Sequence, residues 1–226
     1  MRLNTDHEQF YDAVFDHGGP VFHRMAFTRG GLSKKAQFAL FESLRLPTPP
    51  HGTVSDLAEM LRTGMETGTV SAALNAHYQC VVYGDEWAHR GEGKELLTFL
   101  EARGRDPGLF ASVFIPQNGP PVSFRLIRFG RLIFWTRQQG EKGGWRSNQR
   151  DVETFLAREI ARESNPIPRV LWAIDFIPGP SGLLAVDFNT APELATLGER
   201  GALTSEEALA ELRFAAEHAP EQLNQF

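Results

Sequence analysis

Apolar and polar positions along the chain fall into short blocks, most with a strand period and several with a helical one. Two apolar runs, Val170–Ile177 and Leu183–Phe188, are separated by Pro178-Gly179-Pro180-Ser181-Gly182, which predicts two strands and a hairpin turn. Val122–Phe129 and Leu132–Thr136 alternate around Gly130-Arg131 and predict a second hairpin, with Arg125 and Arg128 on opposite faces and Arg128 expected in solvent. Gln79–Tyr83 and Leu109–Pro116 read as short strands, and Val21–Phe27 as another. Helical spacing starts at Ser33, with Phe38, Leu40, Phe41 and Leu44 as the apolar stripe and Pro47 as the stop. Further helices are expected from Thr53 to about Arg62, over Thr69–Ala76, over Glu95–Ala102 and around Phe10, Val14 and Phe15. The clearest helical pattern is Asp151–Glu163, with Val152, Phe155, Leu156 and Ile160 along one face, Asp151 as cap and Pro166 beyond its end. A last helix, Glu206–His218, is expected behind Ser205, packing through Leu209, Leu212, Phe214 and Ala215.

Composition narrows the class. The 226 residues are 42% hydrophobic and 23% charged, as in an ordinary globular protein of one or two domains. A net charge of −5 argues against a general nucleic-acid or membrane-surface binder. One cysteine, Cys80, leaves no disulfide framework and no thiolate zinc site within one chain. No stretch approaches the roughly 20 apolar residues of a membrane span, and MRLNTDHEQF lacks a signal-peptide core, so a cytoplasmic protein is expected.

Candidate chemistry concentrates where the two strands after Val170 end. Each carries one acid, Asp175 and Asp187, and Asn189 follows Asp187 by two residues, hence on the same strand face. Two carboxylates and an amide oxygen suit a hard cation such as Mg²⁺, whereas a lone strand-end Asp more often simply faces water. A loop, GDEWAHRGEGKELL, places Gly91 and Gly93 before Lys94, and backbone N–H groups at such glycines can approach a phosphate. The Walker spacing is missing.

The hairpin, VLWAIDFIPGPSGLLAVDFNTAPEL, resembles the metal-binding hairpin of the ATP-grasp superfamily, closest to the branch that adds glutamate to ribosomal protein S6. The resemblance covers roughly residues 32–195 and implies Asp175, Asp187 and Asn189 as Mg²⁺ ligands. It implies that Lys34 or Lys35, with Lys34 favoured, reaches the ATP phosphates from a helix head that leads into LRLPTPPHGTV. Arg125 takes the position of the family's strand arginine, and Trp145-Arg146-Ser147-Asn148 matches its aromatic–Arg–Ser–Asn signature, so Arg125, Arg146 and Asn148 are the implied catalytic groups. The backbone around Phe114 and Ile115 is the implied adenine contact. Three positions depart from the pattern: Asp187 stands where the family has Glu, Ser112-Val113 where it has Gln-Glu, and Tyr83 where it has a second phosphate-binding lysine. Lys94 or Arg90 would have to replace that lysine from the glycine loop; if neither does, ATP binding is weak or the protein is a non-catalytic relative.

The implied fold is α+β: two small lobes of antiparallel sheet with packed helices and the nucleotide between them. The expected organisation is an extension over 1–31, an N-terminal lobe over 32–116, a C-terminal lobe over 117–200 and a closing helix over 201–226. The implied activity is an ATP- and Mg²⁺-dependent carboxylate–amine ligase working through an acyl phosphate, the alternative a non-catalytic ATP-binding or regulatory protein on the same fold. Only 33 residues precede Lys34, whereas the family carries a substrate domain there. The acceptor site is therefore expected from a second copy of the chain, a partner protein or a peptide or carrier-bound substrate.

Overall fold

A computed structural model describes residues 33–67, 78–84, 93–145, 152–160, 171–189, 192 and 194–222. The architecture is α+β with two antiparallel sheets. The chain divides into two compact units, residues 33–116 with 179–184 and residues 117–178 with 185–226. The elements expected around Phe10–Phe15, over 21–27 and over 69–76 lie outside the described residues.

In the first unit, α1 (Lys34–Ser43) is followed by β1 (His51–Thr53), α2 (Val54–Glu66), β2 (Gln79–Tyr83), β3 (Lys94–Thr98), α3 (Phe99–Arg105) and β4 (Phe110–Val113). The strands lie in the order β1-β4-β2-β3. Ser33 caps α1, its hydroxyl accepting from the Ala36 N–H. Thr53 and Asp56 close a reciprocal cap on α2, each side chain accepting from the other residue's backbone N–H.

One sheet face packs Cys80, Val82, Ala111 and Val113 against Val54 and Leu57 of α2 and Ala102 of α3. The residues of the opposite register, Tyr83, Phe110 and Ser112, are buried too, with Phe38 of α1 within ring-contact distance of both Tyr83 and Phe110. The buried stripe of α1 is Lys34, Gln37, Phe38 and Phe41, a helix face in which two of four members are polar.

The helix expected over Glu95–Ala102 is instead β3 and then α3. Thr98 takes the N-cap and Glu101 reaches back to its N–H, a complete capping box that starts the helix at Phe99. Lys94 therefore opens a strand, opposite Tyr83, and does not head a helix.

The second unit holds β5 (Val122–Phe129), β6 (Leu132–Gln139), β7 (Val152–Ile160), β8 (Leu171–Gly179) but for its last residue, β9 (Gly182–Asn189) from Ala185 onward, α4 (Ala195–Glu199) and α5 (Ser205–Gln222). The sheet order is β7-β6-β5-β8-β9. The β5–β6 loop has two residues with glycine first, and Gly130 takes φ +57°, a left-handed value that costs other residues strain. The core joins Ile127, Phe129, Leu132, Phe134 and Ala173 of the sheet to Leu197, Ala202 and Leu203.

Residues 152–160 form a strand, not the helix that their spacing predicts. They pair with β6 from Leu132↔Ile160 to Gln139↔Val152, with a shift in register between Trp135 and Thr136. The bulge leaves Leu156 between Phe155, opposite Thr136, and Ala157, opposite Trp135. One face of β7 thus reads 155, 158, 160, so that Phe155 and Ile160 share a face that strict alternation would deny them. Pairing of the β6 backbone then outweighs a weak local preference.

Two further expectations fail for the same underlying reason, a buried charge that finds a specific partner. Arg128, expected in solvent, is 1% exposed and its Nε donates to the Gly130 carbonyl. In α5 the cap is Thr204, paired reciprocally with Glu207. Leu209 and Leu212 are exposed, whereas Glu211 on this helix is buried. Its carboxylate accepts from the Arg131 backbone N–H at 2.6 Å and from the Arg131 guanidinium at 2.7 Å. A Cβ on Gly130 would stand 2.3 Å from Glu211 Oε2, so the glycine serves close approach as well as the turn. Arg158 adds a second tie, donating to Glu207 at 2.7 Å and to the Ala202 carbonyl.

Candidate functional site

The two units each bury a polar cluster on a sheet face. In the first, Lys34 is 5% exposed while its neighbour Lys35 points to solvent, a separation that follows from their places on and off the α1 stripe. Lys34 Nζ donates to Gln37 Oε1 at 2.9 Å and stands 5.8 Å from the centre of the Tyr83 ring. The Tyr83 hydroxyl is 3.1 Å from Ser112 Oγ, and burial pushes its phenol up to about 12. Phe38 and Phe110 meet this ring, and His51 packs against both of them in turn.

Two of the positions at which the chain departs from the resembled pattern, Tyr83 and Ser112, are thus hydrogen-bonded to one another. A phenol in place of a lysine needs a buried partner for its O–H, and a serine on the next strand supplies one. Gln37 escapes a reading by motif. Its signal is nonetheless present: it lies three residues after Lys34, on the stripe defined by Phe38 and Phe41.

In the second unit Arg125 and Asp175 sit opposite each other on β5 and β8. Arg125 Nε donates to Asp175 Oδ1 at 2.6 Å and Nη2 to Oδ2 at 2.8 Å, a two-pronged ion pair with side chains only 6% and 14% exposed. Thr136 lies opposite Arg125 on β6 and is fully buried. Ser123 and Gln138, one step along the same face, are also buried, with the Ser123 hydroxyl donating to Gln138 Oε1 at 3.4 Å. The sheet face therefore changes from apolar at Phe129, Ile127, Phe134 and Ala173 to polar at Arg125, Thr136 and Asp175.

Asp187 and Asn189 are partly buried on β9, the strand beside β8. No cluster of three His, Cys, Asp or Glu occurs among the described residues, so a cation here would rely on two carboxylates and the Asn189 amide. That donor set fits a hard cation in chemistry. Both Asp175 oxygens are engaged by Arg125, so a cation drawing on Asp175 would share that carboxylate with the guanidinium.

Of the remaining expected residues, Gly93 adopts φ +68° and its carbonyl accepts from Gly84 N–H. Lys94 is half-buried on β3. The Phe114 N–H donates to the Gln79 carbonyl, and Ile115 packs against the α2–α3 side of the core. Arg90, Gly91, Arg146 and Asn148 lie outside the described residues. Cys80 is a buried free thiol, pushed up to about 11 by burial, which disfavours the nucleophilic thiolate. No helix among the described residues is long and apolar enough to cross a membrane.

No family model matches the sequence, and no curated protein matches it. Solved structures do. The ATP-grasp ligase PsnB, complexed with a precursor variant, Mg and ADP, superposes with a TM-score of 0.55 at 14% identity, over 92% of this chain and 68% of PsnB. A RiPP-associated ATP-grasp ligase from Chryseobacterium gregarium, in complex with ADP and a leader and core peptide, gives 0.56 at 12% identity, over 94% and 69%. A RimK-domain ATP-grasp protein from Sphaerobacter thermophilus gives 0.52 at 16% identity, over 94% and 78%. The fold is that of the ATP-grasp ligases. Within the ATP-grasp frame the resemblance noted from the hairpin and the similarity of the whole structure agree, at identities too low for sequence alone to carry the fold.

Proposed function

We propose that this chain is an ATP- and Mg²⁺-dependent ligase that activates a carboxylate as an acyl phosphate and joins it to an amine. The observation that carries the reading is the β8–β9 hairpin: Asp175, Asp187 and Asn189 stand on neighbouring strands of an ATP-grasp fold. Mg²⁺, when bound through Asp187 and Asn189, would offset phosphate charge. The chain's own groups do the rest. Lys34 presents an ammonium to the phosphates. Arg125 holds Asp175 by its N–H fork, and a phosphate oxygen would compete for that same fork. Arg146 and Asn148, outside the described residues, are assigned to the transferred phosphoryl group. No protein nucleophile is needed for acyl-phosphate chemistry, in keeping with a Cys80 thiol that burial holds protonated. The carboxylate or amine substrate is proposed to be a peptide, since one structural neighbour is complexed with a leader and core peptide.

A second reading, an ATP-binding protein without ligase activity, is favoured by Tyr83. It fills the position of the resembled lysine with a buried, hydrogen-bonded phenol. The double variant Asp187→Ala/Asn189→Ala tests the site: Mg²⁺-dependent ATP binding, read by calorimetry, should vanish while the urea transition stays cooperative. Undiminished binding would remove the cation assignment, and binding without phosphate release across a peptide panel would favour the second reading.

A further inference from the structure

We infer that Tyr83 and Gln37 are positioning residues for Lys34: the Gln37 amide oxygen and the face of the Tyr83 ring fix one rotamer of the lysine, so that its ammonium is presented to the phosphates of a nucleotide. This rests on the nucleotide reading above, and goes beyond it by giving the departing residue, Tyr83, a role in place of the missing lysine.

Three observations carry it. Lys34 is 5% exposed, on a helix stripe where an apolar residue would be usual, so its side chain is held in the protein and not spread in water. The amide oxygen that receives its Nζ at 2.9 Å comes from a residue that is itself 8% exposed and one turn along α1. The Tyr83 ring lies 5.8 Å from that Nζ and is held in turn by packing against Phe38 and Phe110. A lysine carries several rotatable bonds, and restricting them before a ligand arrives removes an entropy cost from binding. A ring attracts an ammonium without neutralising it, whereas a carboxylate at the same place would compete with the phosphate. The raised phenol supports this assignment, because Tyr83 stays neutral and offers its π face and no charge. Lys94, by contrast, starts a β-strand and is set in the sheet ladder opposite Tyr83.

The test compares ATP, adenosine and inorganic tripolyphosphate binding by calorimetry on the wild type and on Lys34→Met, Gln37→Met, Tyr83→Phe and Tyr83→Leu. Lys34→Met should abolish tripolyphosphate binding. Gln37→Met and Tyr83→Leu should each weaken ATP about fivefold and leave adenosine unchanged, whereas Tyr83→Phe, which keeps the ring, should match the wild type. Should Tyr83→Leu not fold, Gln37→Met carries the comparison alone. Wild-type affinity in both Gln37→Met and a folded Tyr83→Leu, or undiminished tripolyphosphate binding in Lys34→Met, would overturn the positioning role and leave the nucleotide reading standing. A wild type that binds neither ATP nor tripolyphosphate would overturn that reading, and this inference with it.

Discussion

The two buried polar clusters handle charge in opposite ways. In the second unit a guanidinium and a carboxylate face each other with two short hydrogen bonds, Arg125 to Asp175. In the first, Lys34 is met by an amide oxygen and the face of a phenol ring. A two-pronged pair sets two full charges in one geometry, while an amide oxygen and a ring orient an ammonium without bringing a formal charge of their own. The proposed function draws on this difference: Lys34 is assigned there to the phosphates, and Asp175 is held by Arg125 on the strand beside Asp187 and Asn189.

The largest expected effect comes from breaking the ion pair. Asp175→Ala leaves Arg125 buried without its carboxylate and should cost about 3–5 kcal/mol in urea unfolding, whereas replacing both residues with leucine should recover most of it. A single variant within about 1 kcal/mol of wild type would show that the pair behaves as a surface contact and would erase the contrast. A smaller loss, about 1–2 kcal/mol, is expected for Ser112→Ala, which strands the Tyr83 hydroxyl in the first unit. An unchanged unfolding midpoint there would mean that the phenol finds another partner, and that Tyr83 and Ser112 are not a linked replacement.

The smallest effect is set by pH. Glu207 is held down to about 2 from the ordinary 4.5 by Arg158 and by the Thr204 N–H at the α5 cap. Glu101 and Asp56 are lowered by their own caps on α3 and α2. A carboxylate with a depressed folded value stabilises fully above its unfolded value and loses that contribution as the pH falls toward the folded one. Stability should therefore decline as pH drops from about 4.5 toward 2, and Glu207→Gln should flatten the part due to α5. An identical pH profile for Glu207→Gln and wild type would contradict the Arg158 tie.

Both hairpins are legible in the amino-acid sequence, because strand alternation broken by Pro and Gly is a local signal. Gly130-Arg131 and the Pro178–Gly182 cluster mark turns whatever the rest of the chain does. The capping box at Thr98 and Glu101 is equally local, but the run of helix formers from Glu95 onward masks it. β7 is not legible. Its bulge interrupts the period of two that would mark a strand, and only the long-range demand of β6 for a partner decides the outcome. The buried faces of α1 and α5 mislead for another reason. Binary patterning expects apolar residues there, but Lys34, Gln37 and Glu211 are buried because each meets a fixed polar partner. At the site, residue types are legible and pairings are not. Arg125 and Asp175 each read as ligand-binding groups, and nothing in a sequence separation of 50 shows that they meet.

The central claim is that this ATP-grasp fold binds nucleotide with a cation at the β8–β9 hairpin. Calorimetric titration of the wild-type protein with ATP, in the presence of Mg²⁺ and again with Mg²⁺ chelated, tests it most directly. Saturable binding that depends on Mg²⁺ is the predicted result; a cooperatively folded sample that gives no heat of binding under either condition would contradict it.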